Sequence, residues 1–573
     1  MRRDMIIYVT AIGCLFASIW TTASPARTWE TSLEHMQIHQ ALTQGVRTIA
    51  TGRLCPVIPQ RDGMYPILCG GPDAYTGNPL YLQGSCPPVV LAGRFGKGRI
   101  VACGHDNWLL ERTKDPNASK LALNCLQWLA GPTRPARIAF YTSMGTLVTT
   151  RTLSANIMRE LSEGEITVIN LAEPAARAEL ERYAVLVIAR PHARLMDKDE
   201  ADVICQYVEN GGGVLMAGVG WFWAQCNPTL PMADFPLNVL GRRLGVEFLD
   251  DIVWQQSNKG QRLPATFQVD TAKPWRPRPA QVFQCGETTD QAVHAYVRKH
   301  MKSHNFAIEG EHVILNLPAY GLLKLRSPTK AVKDLDTIYE THTRLASNVP
   351  YHGKKISFVV VNKGCYHLCS GNPILIRRDR VPVVLKDFNG LGHPGWGLIH
   401  ELGHDFVASA HKHAYQLGNG DNESWANVFT THAYDTLDLQ YDRHDTHWLE
   451  QQNGIAYYFA KQPDYKRLKT DHWIMLSLLT VIKETYGWAP FYGFFRECAK
   501  KAKAGSTPTA EQEKVDFLVY ELSMAAGVDL SSYFIRWGFP VSESVTHKLK
   551  TLPKAQLDKT AKSIAVRFKI RAN

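Results

Sequence analysis

Apolar positions fall along this chain in two rhythms. PVVLAGRF (88–95) and RIVACGH (99–105) are compact apolar runs on either side of Gly96-Lys97-Gly98, which predicts a β-hairpin. The glycines there match neither GxGxxG nor a Walker loop, and a strand follows where a phosphate loop needs a helix. From about residue 134, ARIAFYTS, ITVINLAE, YAVLVIAR and GGGVLMAG are continuous apolar runs, separated by helical stretches such as DKDEADVICQYVENG (197–211). Continuous apolar strands alternating with amphipathic helices predict a parallel sheet covered on both faces.

The proline- and arginine-rich KPWRPRP (273–279) reads as a boundary or extended connection. Beyond it HVILNL and YGLLKLRS read as strands, AVKDLDTIYETHTRLAS as a helix, and ISFVVV and PILIRR as strands again. From Gly395 onward the pattern is mostly helical. No fixed-period repeat is present, so solenoids and propellers are excluded.

With 573 residues, 45% hydrophobic and 20% charged, the chain has ample apolar material for several packed units and none of the character of a disordered tail. Its net charge of +11 is spread out and forms no polybasic stripe, which argues against a nucleic-acid partner. The first residues place two arginines before an apolar run from Met5 to Trp20, then small residues at Ala23 and Ser24, the order of a secretory signal. Cleavage and secretion are expected, with tethering by an uncleaved signal anchor as the alternative. Cleavage leaves eleven cysteines, too sparse for a disulfide scaffold. Pairing among Cys55, Cys69, Cys86, Cys103 and Cys125, or of Cys365 with Cys369, is not readable from spacing.

The chemistry lies in Trp396-Gly397-Leu398-Ile399-His400-Glu401-Leu402-Gly403-His404-Asp405-Phe406, which holds His-Glu-x-x-His. Pro394 and Gly395 mark the start of a helix on which His400 and His404 share one face, while Leu398, Ile399, Leu402 and Phe406 face the core. Two imidazoles so placed suit one zinc ion, and Glu401 beside them suits a general base acting on zinc-activated water. A catalytic zinc needs a third protein ligand. Glu423 supplies it from a second helix, for which Asp421 or Asn422 is the expected N-cap. Asn427, four residues on, is then expected to hydrogen-bond the free nitrogen of a ligand histidine. Trp425, Val428 and Phe429 point the other way, into packing.

These residues resemble the peptidase M60, or enhancin-like, pattern: His400 to His404, then Glu423 and Asn427-Val428-Phe429, with further likeness at Tyr366 to Ile374 and Phe534 to Val541. The amino-terminal half resembles TRP channel-associated factors. YAVLVIAR, the helix after it and Asn210-Gly211-Gly212-Gly213-Val214-Leu215 resemble a class I glutamine amidotransferase-like fold, but no nucleophilic cysteine follows VLMAG. The resemblance implies an α/β plus α+β chain: an amidotransferase-like parallel-sheet domain followed by a mainly helical gluzincin-type catalytic domain. The expected divisions are a signal peptide (1–23), a β-rich region (24–130), the α/β domain without nucleophile (131–263), a connecting and accessory region (264–350), the M60-like domain (351–550) and a tail (551–573). Family members imply one Zn2+ per chain and a mucin or other O-glycosylated protein as substrate. A non-enzymatic binding or regulatory protein using the M60-like region as scaffold is the alternative.

Other polar residues have plainer readings. His411 and His413 sit where cations favour a helix C-terminus rather than as oxyanion donors. Asp442, His444, Asp445 and His447 read as a polar loop. Trp473, Trp488 and Trp537 read as core anchors.

Overall fold

The computed structural model describes residues 32–557, apart from 51, 82–83, 111–113, 133–135, 173–176, 257–261, 273–276, 302–304, 363–367 and 441–462. The expected signal segment, Cys365, Tyr366, the Asp442-to-His447 loop and most of the tail therefore lie outside the described residues.

Seven strands form the first sheet: β1 (Met64–Cys69), β2 (Pro88–Phe95), β3 (Gly98–Cys103), β4 (Ala136–Tyr141), β5 (Ile166–Leu171), β6 (Val185–Ala189) and β7 (Gly213–Ala217). Their order is β1-β2-β3-β7-β6-β4-β5. The expected hairpin is β2–β3, antiparallel and joined by the glycine turn. From β3 across to β5 every neighbouring pair is parallel. Alternation explains the continuous apolar runs: Val185, Val187 and Ala189 enter the core on one face, and Leu186 and Ile188 enter the core on the other.

The expected division at residue 130 cuts this sheet, because β3 pairs in parallel with β7. Short pairings of Thr48–Ile49 with Phe267–Gln268, and of Val57–Pro59 with Val246–Phe248, join the chain before β1 to the chain after β7.

A second sheet comprises β8 (Gln281–Gln284), β9 (Phe306–Glu309), β10 (Val313–Asn316), β11 (Ile356–Val361), β12 (Leu368–Cys369) and β13 (Ile374–Arg377), in the order β8-β9-β10-β11-β13-β12. It crosses the expected boundary at 350, since β10 pairs with β11. YGLLKLRS is not a strand: Ala319–Lys324 is helical, entered from Pro318 in extended conformation. A short apolar run carries too little periodicity to separate the two states.

Helices cover both sheets. In chain order, the α/β region contributes α1 (Lys198–Glu209) and α2 (Gly220–Cys226), and the second region contributes α3 (Pro328–Ala346), α4 (Trp396–Ser409), α5 (Asn419–Thr436) and α6 (His472–Tyr486). Leu398, Ile399, Leu402 and Phe406 of α4, and Trp425, Val428 and Phe429 of α5, are buried in one core with α3 and α6. Trp537 is buried there too, and Trp473 and Trp488 pack against it.

α4 and α5 approach closely at Gly403, where an added Cβ would lie 2.8 Å from the Ala426 carbonyl oxygen and 3.3 Å from Phe429 Cβ. Backbone cannot yield as a side-chain tip can. Gly403→Val should therefore lower stability by about 1–3 kcal/mol, the usual cost of overpacking. Because it pushes the helices apart, it should also weaken metal binding. Thermal unfolding and a zinc titration on the same sample check both.

Among the described residues, all ten cysteines are thiols and no helix is long and apolar enough to cross a membrane.

Candidate metal centre

α4 starts at N-cap Gly395, as Pro394-Gly395 suggests, and presents His400 and His404 one turn apart with ring centroids 4.6 Å apart. α5 starts earlier than expected. Its N-cap is Gly418, not Asp421 or Asn422, so Asn422 already lies in the first turn.

The two helices bring three side chains together. Glu423 Oε2 lies 3.1 Å from His400 Nε2 and 3.2 Å from His404 Nε2. Two donors bound tetrahedrally to one metal, with bonds of about 2.0–2.1 Å, sit about 3.3 Å apart. The spacing thus fits one small divalent ion held by His400, His404 and Glu423. A second group, Glu311, His312 and Glu340, also gathers possible ligand atoms, but His312 stands 3.8 Å from each carboxylate and both glutamates are exposed. Such loosely placed, solvated groups define no comparable centre.

Hydrogen bonds from both imidazoles hold the Glu423 carboxyl well below the usual carboxylate range. Glu401 is opposite in character. Burial pushes its carboxyl up to about 7; nearby Glu423 and Asp405 push the same way, while His400 and the Ser370 backbone N–H oppose them. The two acids therefore differ in environment: Glu423 is an anion facing two imidazoles, and Glu401 is a desolvated carboxyl beside a backbone donor.

The expected role of Asn427 is not realised. Asn422 Nδ2 lies 2.9 Å from His404 Nδ1, while Asn427 Oδ1 and His400 Nδ1 are both buried without a hydrogen-bond partner. The four-residue spacing from Glu423 put Asn427 on the correct helix face, but the first turn of α5 passes closer to His404. Truncation checks this assignment. Asn422→Ala should weaken zinc binding about 10–100-fold, the usual cost of losing such a partner. Asn427→Ala should leave it nearly unchanged. Zinc affinity by competition with a chelating dye separates them.

Further contacts were not readable from spacing. Asp405 Oδ1 accepts hydrogen bonds from Tyr351 OH and Gly371 N, each at 2.8 Å. The first ties α4 to the segment before β11 and the second to the loop between β12 and β13, whose Ser370 N–H favours the charged form of Glu401. Behind α4, His342 packs edge-on against Phe406 and Phe429, and burial pushes its pKa down to about 3. It is a neutral core histidine, not a ligand. His411 takes a left-handed turn after α4, its Nε2 3.5 Å from Asn348 Nδ2.

Comparisons with known proteins divide the chain in the same way. A family model for peptidase M60, enhancin and enhancin-like proteins matches residues 278–538, and one described as TRPM8, N-terminal domain, matches residues 58–262. The TRPM8 channel-associated factor 3 of Mus musculus is 27% identical over 293 residues, which cover 48% of this chain and 30% of that protein. The chain spans less than a third of the length of the curated relatives it matches. Among solved structures, a functionally unknown conserved protein from Bacillus anthracis aligns with a TM-score of 0.43 at 17% identity, over 57% of this chain and 66% of that one. The ZmpB metallopeptidase from Clostridium perfringens aligns with a TM-score of 0.38 at 18% identity, over 53% of this chain and 63% of that one. One chain thus joins a region matching the peptidase M60, enhancin and enhancin-like family to an amino-terminal half resembling TRPM8 channel-associated factors.

Proposed function

We propose that this chain is a secreted zinc metallopeptidase that hydrolyses peptide bonds in mucin-type or other O-glycosylated proteins. The observation that carries the reading is the convergence of His400 Nε2 and His404 Nε2 on Glu423 Oε2, with Glu401 on the same helix as the two histidines. His400, His404 and Glu423 would hold one zinc ion per chain. Zinc, when bound, supplies a Lewis acid that makes water acidic near neutral pH and polarises a peptide carbonyl.

The chain's own residues do the rest. Glu401 accepts the proton of the attacking water on its carboxylate and returns it to the leaving amine. The Ser370 N–H favours the charged form of that carboxylate. With its amide turned so that Oδ1 faces the ring, Asn422 accepts from His404 Nδ1–H and leaves Nε2 free for the metal. β12 is the last strand of its sheet in the described residues and lies against α4, so its outer edge can align an extended peptide beside the centre. This is a gluzincin-type arrangement.

The α/β region is read as an amidotransferase-like scaffold without a nucleophile. Gly218-Val219 joins β7 to α2 where a reactive cysteine would stand. The Cys55 thiol there accepts from Gly220 N at 3.4 Å, but burial pushes it up to about 12, which leaves it unreactive. Secretion rests on the amino-terminal signal pattern, with a signal anchor as its alternative.

A second reading, a non-enzymatic partner-binding protein, is favoured by the names of the curated relatives as channel-associated factors. One experiment separates the two. The full chain is incubated with a mucin-type glycoprotein and with its deglycosylated form, with and without a chelator. Cleavage of the glycosylated form that stops on chelation and returns with zinc supports the peptidase. Stoichiometric zinc without cleavage of either form favours the binding protein.

A further inference from the structure

We infer that the amino-terminal region holds in place the loop beside the metal centre, with Gly77 as a positioning residue that acts through Asn372 on the Ser370 and Gly371 amides. The inference rests on the reading of Glu401 as the base.

The contact begins in the segment between β1 and β2. Tyr75 exchanges backbone hydrogen bonds with Trp254 at 2.9 and 2.8 Å. It is buried in an apolar cluster with Ala307, Ile314, Val359 and Leu375 of the second sheet. The segment is therefore seated on the sheet that carries the β12–β13 loop. Two residues on, the Gly77 carbonyl accepts the hydroxyl of Ser357 on β11. An added Cβ at Gly77 would lie 2.9 Å from Asp251 Oδ2 and 3.2 Å from Asn372 Oδ1. No side chain fits there without moving one of them. Asp251 is itself buried, and the adjoining Asp250 is held by Lys354, whose ammonium donates to the Asp250 carbonyl at 2.9 Å and stands 3.3 Å from its carboxylate.

Asn372 is the crossing point. Its Oδ1 accepts from Ser357 N at 3.1 Å and its Nδ2 donates to Lys355 O at 2.8 Å. The next residues toward β12 face the metal helix. Gly371 N donates to Asp405 Oδ1 at 2.8 Å, and the Ser370 backbone N–H stands on the side of Glu401, where it favours the charged carboxylate. Three consecutive residues thus join the amino-terminal region on one side to the candidate base and the neighbour of His404 on the other. The loop is held by part-buried hydrogen bonds to β11 on one side and to α4 on the other, and β11 is in turn tied to Gly77 by the buried Ser357 hydroxyl, so it moves only if several bonds break together. Spatial continuity is not yet coupling, so the claim needs a perturbation at one end read at the other.

The test uses the full chain loaded with zinc. Amide hydrogen exchange of the segment covering residues 368–373 is measured alongside peptidase kinetics and zinc content. The variants are Gly77→Val, which forces Asn372 aside, and Ser357→Ala, which removes the hydroxyl that the Gly77 carbonyl accepts and carries the test if the first variant fails to fold. Gly71→Val is the control, in the same segment with open space around its Cβ position. Both variants should speed exchange at Ser370 and Gly371 about tenfold, with zinc still at one per chain. They should also lower kcat about tenfold or more while changing KM less than about threefold. The control should match the wild type. Folded variants with unchanged exchange, or with faster exchange and unchanged kcat, overturn the inference. If the wild-type chain cleaves nothing, the peptidase reading fails by itself. The exchange measurement then still decides the link: faster exchange supports it, and unchanged exchange overturns it.

Discussion

Glu401→Gln should abolish peptide hydrolysis, lowering kcat by about 10²–10⁴-fold, the range that general acid–base groups contribute. One zinc per chain should remain bound. The amide is nearly isosteric, can still lie against the Ser370 N–H, and touches neither Glu423 nor the imidazole nitrogens that meet it. What it cannot do is accept a proton at neutral pH. The desolvation that makes the carboxyl unusual also makes loss of its charge tolerable in the fold, so stability should stay the same or rise slightly. Steady-state cleavage assays with metal analysis of the same preparation check the result. A variant that keeps activity removes Glu401 from the mechanism, and one that loses zinc shows a structural role instead.

The second large effect is at Glu423. Glu423→Ala leaves His400 and His404 without their shared acceptor, and two histidines alone are a poor zinc site. Zinc affinity should fall by more than about 100-fold, beyond the loss typical of outer partners. Activity should disappear at ordinary zinc concentrations. The fold should survive, because the Glu423 side chain is 45% exposed whereas Trp425 and Phe429 beside it are fully buried and unchanged. Competition with a chelating dye, paired with thermal unfolding, gives both numbers. High added zinc should restore part of the activity in Glu423→Ala and none in Glu401→Gln.

The local parts of this site were legible because helix period alone decides them. His400 and His404 must share a face if the segment is helical, and Leu398, Leu402 and Phe406 must then face inward. Glu423 was legible as the acid at the start of the next helix. Asn427 follows from its spacing to Glu423, but spacing on one helix says which residues share a face, not where a crossing helix passes nearest, and Asn422 reads from sequence only as a cap. The ties of Tyr351 and Gly371 to Asp405 span 54 and 34 residues and leave no local trace.

The same reasoning explains the fold. The β2–β3 hairpin and the parallel strands followed from apolar runs and a glycine turn. Both misplaced boundaries fell where strands from separate segments share a sheet: β3 beside β7, and β10 beside β11. Strand partnership is a long-range choice, settled by which apolar faces can be covered together. The positioning role proposed for the amino-terminal half leaves no trace in the sequence for the same reason. Gly77 looks like any loop glycine until the β12–β13 loop is packed against it.

Two neighbouring helices direct His400, His404 and Glu423 toward one divalent-ion position. X-ray absorption at the zinc edge, on the full chain loaded with one equivalent, reads the ligand set at that position. Two imidazole nitrogens and one or two oxygens at about 2.0–2.2 Å, with no sulfur neighbour, are expected. A sulfur neighbour at about 2.3 Å, or a spectrum unchanged in the combined His400→Ala and His404→Ala variant, would contradict that ligand set.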